Sequence, residues 1–301
     1  MKTKAKQLTT YANLRLVQVQ AHPETKFIYK PGAPEMKNGG LIITESTGEG
    51  IVGKLAAENK TSSFLLLTDA DVLIGAKQNR IINKSILLDP MTKTVIDVSC
   101  VERLRWQYTS RNFSSHGTVA DHDLRKLKAA SIAFKKTRPD EFSESTQSTV
   151  WNHVSNKLRE QGLEEKTESY AELIDYSMSK GEHEFPVCEA EKGCNGIAVV
   201  LDGKVTCIDI FGTEEVYRYY FRNLRDSAFR MAKKGKDIRE TDINEAYFKV
   251  LDTLDYYETT VRHPDPSYNG AGLFSMADND RLIAFDLSMD REMIHTALFI
   301  K

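Results

Sequence analysis

No stretch of this sequence is apolar for long enough to cross a bilayer as a helix. The longest aliphatic runs, residues 64–67 and 197–201, have strand length, against the roughly 20 residues that a spanning helix needs. The opening MKTKAKQLTTYANLRLVQVQ has basic residues but no apolar core behind them, so no secretory signal is read and the cytoplasm is the expected compartment. An excess of positive charge is missing too. The 41 Lys and Arg are spread among 43 Asp and Glu, for a net charge of −2. Nucleic acid is therefore not expected as a partner, because its binders carry a basic excess or stripe. Cysteine is sparse, with only Cys100, Cys188, Cys194 and Cys207. That is too few for a disulfide scaffold, and no C-x2-C pair marks a zinc site. Reduced, mostly buried thiols are expected. No glycine-rich loop sits between a strand and a helix, which removes the P-loop and the dinucleotide fingerprint. The cofactor is unknown from the sequence, and no internal repeat or low-complexity tract is present.

Apolar content of 41% and charged content of 28% are ordinary for a globular protein. A chain of 301 residues can bury a sizeable core as one large or two ordinary domains. Residues 13–106 read as strands: 14–19, 41–44 after the turn-forming Gly39-Gly40, then 51–57 and 64–68 joined as a hairpin by the polar connection 58–63. Segments 72–74, 81–88 and 95–101 follow, with residues 89–93 as a hairpin turn between the last two. The pattern predicts antiparallel sheet in two packed, sandwich-like layers. Residues 107–148 turn polar, and the clusters Arg125-Lys126-Leu127-Lys128 and Lys135-Lys136 read as solvated surface. His116, Asp121, His122 and Asp123 in this segment read as a chance surface cluster rather than a metal site.

Helical spacing then takes over. Val150, Trp151, Val154 and Leu158 share one face, and Tyr170, Leu173, Ile174 and Ser177 another. Residues 196–209 return to sheet as a hairpin turning on Asp202-Gly203. Thr213 caps a helix with Glu214 and Glu215 in its first turn and Tyr217, Tyr220, Phe221, Leu224 and Ala228 on its apolar face. A helix at 242–254 precedes strands 282–287 and 294–300, while Asp265 to Gly272 reads as a loop. The fold class is α+β: a β-rich region at 1–110, a polar connector at 111–145 and a mixed α/β region at 146–301, or one continuous domain.

The residues with chemistry to offer fall between Asp69 and Trp106. Read as strand, Lys77 and Asn79 point one way, and Gln78 and Arg80 the other way with Ile82 and Ile86. Arg80 is thus expected to be partly buried and to need an acidic or phosphate partner. Glu102, on the face of Ile96, Val98 and Cys100, is in register to supply one. Gly75 marks a bulge or a close backbone approach. The Lys-Gln-Asn-Arg run is rich in donors, and arginine suits bidentate recognition of carboxylate or phosphate. Cys100 has no histidine at a motif-defining distance, so an inert buried thiol is favoured over a nucleophile.

The two strings Gly75-Ala76-Lys77-Gln78-Asn79-Arg80 and Ser99-Cys100-Val101-Glu102 with Arg105-Trp106 resemble a known family over most of the chain. It is the domain associated with ADP-ribosylglycohydrolase and with rhodanese/phosphatase proteins. Glu45 corresponds to an acid in the family's early strand. Gln147, Val150 and Trp151 resemble its Q-x-x-V-W helix start, and Asp209-Ile210-Phe211-Gly212 its strand-to-helix element. Where the family has D-G-E, this chain has Asp69-Ala70-Asp71. The resemblance implies a fold and no particular reaction; association with ADP-ribose-handling enzymes implies a nucleotide-like or phosphorylated ligand.

The expected function is binding of an anionic, phosphorylated or nucleotide-derived small molecule in a polar pocket. Lys77 and Arg80 would hold anionic groups, and Gln78 and Asn79 would orient the ligand. Glu102 or Asp71 would act as general base in a hydrolase or transferase. Glu45, Cys100, Arg105 and Trp106 complete the candidate set. Two alternatives stand beside it: a non-catalytic scaffold whose motif is a structural polar network, and a metal-dependent hydrolase using Glu45, Asp71 and Glu102. Oligomeric state is not readable from the sequence.

Overall fold

A computed structural model describes residues 3–21, 24–137, 145–163, 166–181, 185–233 and 243–301. In chain order the first elements are β1 (Lys4–Tyr11), β2 (Leu14–Gln20), β3 (Tyr29–Pro31), α1 (Ala33–Asn38), β4 (Leu41–Glu45), β5 (Lys54–Asn59), β6 (Phe64–Leu67), β7 (Asp71–Gly75), β8 (Arg80–Ile82), β9 (Ile86–Leu88), β10 (Thr92–Cys100) and β11 (Phe113–Val119). Then come α2 (His122–Thr137), α3 (Thr146–Glu160), α4 (Tyr170–Gly181), β12 (Gly196–Leu201), β13 (Lys204–Phe211), α5 (Glu214–Phe229), α6 (Ile243–Thr259), β14 (His263–Pro264), β15 (Leu273–Asp278), β16 (Leu282–Met289) and β17 (Glu292–Ile300). The fold is α+β and rich in strands toward its N-terminal half.

Contacts divide the chain into two compact units, each discontinuous in sequence. One comprises Met1–Phe27, Gly181–Pro266 and Gly272–Lys301; the other comprises Ile28–Lys180 and Ser267–Ala271. In the first, one eight-stranded antiparallel sheet runs β1-β2-β12-β13-β17-β16-β15-β14. The hairpin β12–β13 turns on Asp202 and Gly203, both with positive φ (49° and 74°), as a tight primed turn requires. Helix α6 packs Ala246, Val250, Leu254 and Tyr257 on one core of this sheet. Thr213 caps α5 by accepting the Val216 N–H at 3.2 Å, and Tyr217, Tyr220, Phe221, Leu224 and Ala228 are buried, as their spacing predicts.

The second unit holds a six-stranded antiparallel sheet, β11-β7-β8-β10-β5-β4, and a three-stranded sheet, β3-β6-β9, in which β3 and β6 run parallel. Both line one apolar core that includes Leu41, Ile43, Leu67, Leu73, Ile82 and Ile96. The larger sheet curves so that its edge strands β4 and β11 approach each other. On its outer side Val72, Ile81 and Val101 pack against Leu124, Val150, Val154, Leu158, Tyr170 and Leu173 of α2, α3 and α4.

Several connections differ from their sequence expectation. The 58–63 segment does not close a hairpin: β5 pairs with β4 and β10, while β6 pairs with β3 and β9. Buried Asn59 builds the corner, donating to the carbonyls of Ser63 (2.8 Å) and Asp89 (2.9 Å) and accepting the Thr61 N–H at 3.0 Å. The turn after Leu88 likewise carries the chain between sheets, and β10 takes β8 rather than β9 as its ladder partner. Residues 111–145 are more ordered than a connector, holding β11 and α2; residues 138–144 lie outside the described set, as does residue 242 of the predicted C-terminal helix. In the histidine–aspartate cluster, Asp121 accepts the Leu124 N–H (2.9 Å) at the start of α2, and His116 pairs with Asp175 at 3.2 Å.

The basic cluster in α2 is the largest correction. Arg125 and Lys128 are fully buried, not solvated. Three residues apart, they share one helix face, and that face meets Asp69. Arg125 grips its carboxylate with Nε (3.1 Å) and Nη2 (3.0 Å), while Lys128 Nζ donates to the carbonyls of Asp69 and Ile82. Burial pulls the Lys128 pKa down to about 7, with Asp69 opposing the shift and Arg125 adding to it. The unfolded chain therefore binds more protons than the folded one between pH 7 and the ordinary lysine value of 10.5. Stability from this group should rise with pH across that window, with a slope of up to about 1.4 kcal/mol per pH unit. Urea denaturation at pH 7 and pH 9 is expected to show the rise in the wild-type protein and a flatter profile in Lys128→Met; equal slopes would refute it.

Candidate functional site

Strands β7 and β8 are antiparallel neighbours, with Leu73 opposite Arg80. Most of the Gly75–Arg80 string is therefore the loop of a hairpin, and strand alternation does not govern it. Gly75 has φ 109° and Ala76 φ 41°. A Cβ on Gly75 would lie 2.4 Å from Ser110 Oγ, so the loop needs glycine for close approach as well as for conformation. The loop buries Gln78, Asn79 and Arg80 together and leaves Lys77 half-buried. The expected split, with Asn79 facing away from Gln78 and Arg80, does not hold, because the chain leaves the pleat at Gly75.

Arg105 organises the inner side of this loop. Its Nε and Nη2 grip Glu102 at 2.7 and 2.6 Å. Nη1 donates to the carbonyls of Ala76 (2.7 Å) and Gln107 (3.0 Å), and Nη2 also reaches Asn79 Oδ1 at 3.2 Å. Glu102 further accepts the Asn79 N–H at 3.0 Å, and Asn79 Oδ1 accepts the Gly75 N–H at 3.0 Å. Burial alone would raise the Glu102 pKa, but the Arg105 and Asn79 hydrogen bonds outweigh it and hold the carboxyl below its ordinary value. The expected Arg80–Glu102 pair is thus replaced by Arg105–Glu102. Three residues away, Arg105 can wrap the loop and present its planar fork to the acid.

Arg80 lies next to a different acid. Its side chain is wholly buried, and Nη2 is 4.0 Å from Glu45 Oε1. The inward alternation of β4, with Leu41, Ile43 and Glu45 buried, places that carboxylate on the core side. Arg80 Nη1 donates to the Gln78 carbonyl (3.1 Å), Gln78 Oε1 (3.2 Å) and the Asn79 carbonyl (3.3 Å). Its Nε and Nη2 have no hydrogen-bond partner, and neither does Glu45 Oε2. Burial lowers the Arg80 pKa, partly offset by Cys100 and Glu45. Cys100, opposite Arg80 in the ladder, donates its thiol to Gln78 Oε1 at 3.1 Å. Burial pushes that thiol up despite the pull of Arg80, the direction opposite to that of an activated thiolate. Gln147 at the start of α3 acts as a one-residue strand, accepting from Cys100 N (2.7 Å) and donating to Cys100 O (2.8 Å).

A groove of about 730 Å³ opens beside this layer, between Thr44–Gly48 at the end of β4 and Tyr108–Arg111 leading into β11. Glu45 belongs to its lining. Lys77 Nζ donates to the Glu49 carbonyl at 2.5 Å and sits 5.3 Å from the Trp106 ring centroid and 5.2 Å from that of Tyr108. Both rings are about half exposed, at 46% and 52%. Trp106 also covers Arg80, whose guanidinium carbon is 5.9 Å from the ring centroid. Tyr108, Ser110 and Arg111 were not among the sequence candidates; the aromatic spacing of Trp106 and Tyr108 beside the motif is the signal that points to them.

Asp71 stands apart. Its Oδ2 accepts the Thr68 N–H (2.6 Å) and hydroxyl (3.0 Å), closing a turn before β7. With Leu73, Arg80 and Cys100 in register, Asp71 and Glu102 lie on opposite sides of that row. They are four strand positions apart, or roughly 13 Å at ~3.3 Å per residue. Among the described residues, Glu45, Asp71 and Glu102 do not form a group whose oxygens converge as metal ligands.

Arg105→Ala would leave Glu102 buried and unpaired, so a loss of about 3–5 kcal/mol in urea denaturation is expected. Since folding lowers the Glu102 pKa, its contribution is complete above the ordinary value of 4.5 and fades as pH falls through the folded value. Glu102→Gln should accordingly lose part of the acid limb of the stability curve, and an unchanged limb would count against the pairing.

Residues 2–299 match the family described as the ARG and Rhodanese-Phosphatase-superfamily-associated Protein domain. No curated protein and no solved structure matches the chain. With nearly its whole length covered, and the GAKQNR loop packed against the Cys100–Trp106 segment, the chain belongs to the ARG and Rhodanese-Phosphatase-superfamily-associated Protein domain family.

Proposed function

We propose that this protein binds a phosphorylated or nucleotide-derived small molecule, ADP-ribose-like in its make-up, in the groove between residues 44–48 and 108–111. One observation carries the reading: the Lys77 ammonium lies over two half-exposed aromatic rings, of which Tyr108 lines the groove. Aromatic faces stack on a base or sugar ring, and Lys77 and Arg111 supply positive charge for phosphate oxygens. The Glu102–Arg105–Asn79 network has the role of holding the loop, because its hydrogen bonds go to protein groups. That same saturation favours the scaffold reading, in which the motif fixes the loop and binds no small molecule.

Differential scanning fluorimetry with ADP-ribose, AMP and ribose 5-phosphate separates the two. A ligand at 100 times its Kd adds about 2.7 kcal/mol of stability, so the midpoint should rise with concentration. Lys77→Ala and Trp106→Ala, both partly exposed, should fold normally and lose most of that rise. If no compound shifts the wild-type midpoint, or if Lys77→Ala responds like the wild type, the binding reading fails and the scaffold stands. Chromatography of the same incubations reports whether the ligand is consumed, as a hydrolase or transferase requires.

A further inference from the structure

The buried acid beside Arg80 changes what that arginine can recognise. Glu45 and Arg80 carry opposite charges, and both are more than nine-tenths buried. Arg80 Nη2 and Glu45 Oε1 stop at 4.0 Å, too far apart for a direct hydrogen bond, and Oε1, which accepts the Lys77 N–H at 3.2 Å, keeps a second lone pair for another donor. On the guanidinium side Nε and Nη2 have no hydrogen-bond partner, and on the acid side neither has Oε2. Groups of this kind lose more than a kcal/mol apiece when left unmade. Two hydrogen bonds of about 2.8 Å to one oxygen span roughly 4.0 Å when the angle between them is about 90° and roughly 4.6 Å at the tetrahedral angle. The gap therefore has the width of a single oxygen that accepts from Arg80 and donates to Glu45.

A phosphate oxygen does not meet that specification. A fully ionised phosphate has no proton to give the carboxylate, and the acid repels its charge at close range in a buried setting. A neutral hydroxyl does meet it, being donor and acceptor at once. We propose that the Glu45–Arg80 pair is a hydroxyl-recognition subsite, so that the ligand is a phosphorylated polyol, such as a sugar phosphate, rather than a bare anion. Its phosphate goes to Lys77 and Arg111 at the rim, and a ring hydroxyl goes inward to bridge the pair. This rests on the groove being a ligand site, as proposed above. The half-exposed indole of Trp106 lies over the guanidinium, and its displacement brings the hydroxyl to Arg80. Glu45, which lines the groove, marks the way in.

Isothermal titration calorimetry of the full chain with ribose 5-phosphate and with pentyl phosphate tests this, since the second keeps the phosphate and lacks every hydroxyl. The wild type should prefer ribose 5-phosphate by more than tenfold, the scale of a hydrogen bond to a charged group. Glu45→Gln should lose that preference and bind inorganic phosphate more tightly, because the repelling charge is gone. Lys77→Ala should weaken both organic phosphates alike and keep their ratio, which reads the subsite even if Glu45→Gln fails to fold. Equal wild-type affinities for the two would overturn the subsite while leaving the groove as an anion site; they would also mean that water fills the gap. A ratio that collapses in Lys77→Ala, or survives in Glu45→Gln, overturns it as well. Binding of neither compound overturns both the subsite and the reading beneath it.

Discussion

Arg105 is the residue on which the candidate site depends. The loop after β7 leaves the sheet through a glycine and an alanine at positive φ, just past the last ladder pair of β7, Gly75 with Phe113. A buried carbonyl needs a donor. One guanidinium reaches both, Ala76 O at 2.7 Å beside the Thr109 N–H at 3.0 Å and Gly75 O at 3.3 Å, while its charge is met by Glu102. Lysine could not do the same, because the contacts need donors fixed in a plane. Lys77 follows directly in the chain, fixed further by its N–H on Glu45 and its ammonium on the Glu49 carbonyl.

Among the described residues of this unit, three arginine–carboxylate pairs are buried, and they differ in geometry. Arg125–Asp69 is bidentate and sealed under α2. Arg105–Glu102 is bidentate and saturated by loop groups. Arg80–Glu45 alone of the three stands at 4.0 Å with unmade bonds on both partners. Removing charge from water is costly, and the cost is recovered only by close geometry and complete hydrogen bonding. The first two pairs meet that condition and act as structure. The third leaves it unmet at the wall of a groove.

Much of the fold was legible in the residues. The Asp202-Gly203 turn, the Thr213 cap, and the apolar faces of α3, α4 and α5 rest on local chemistry, and local chemistry decides them. The 58–63 connection was misread because its polar composition suits a hairpin and a corner equally; the difference lies in Asn59 reaching carbonyls 29 and 30 residues away. The α2 cluster was misread for a related reason. Lys and Arg in sequence look solvated until an acid from another segment meets them, and Asp69 lies 56 residues from Arg125. The motif pointed to burial of Arg80, yet assigned it Glu102 rather than Glu45.

The sequence by itself determined that Gly75–Arg80 and Cys100–Trp106 belong together, that the loop needs its glycine, and that the chain is an α+β protein of this family. Those features rest on backbone conformation and on residue types that tolerate few substitutes. Only the tertiary structure decided which acid meets which base. Arg80, Arg105, Arg125, Glu45, Asp69 and Glu102 permit several pairings of equal charge chemistry, and strand register and helix docking select among them. The groove is likewise a tertiary feature, formed where the end of β4 and the approach to β11 come together across more than 60 residues of chain. No local pattern encodes such a meeting, because it depends on how the whole sheet curves.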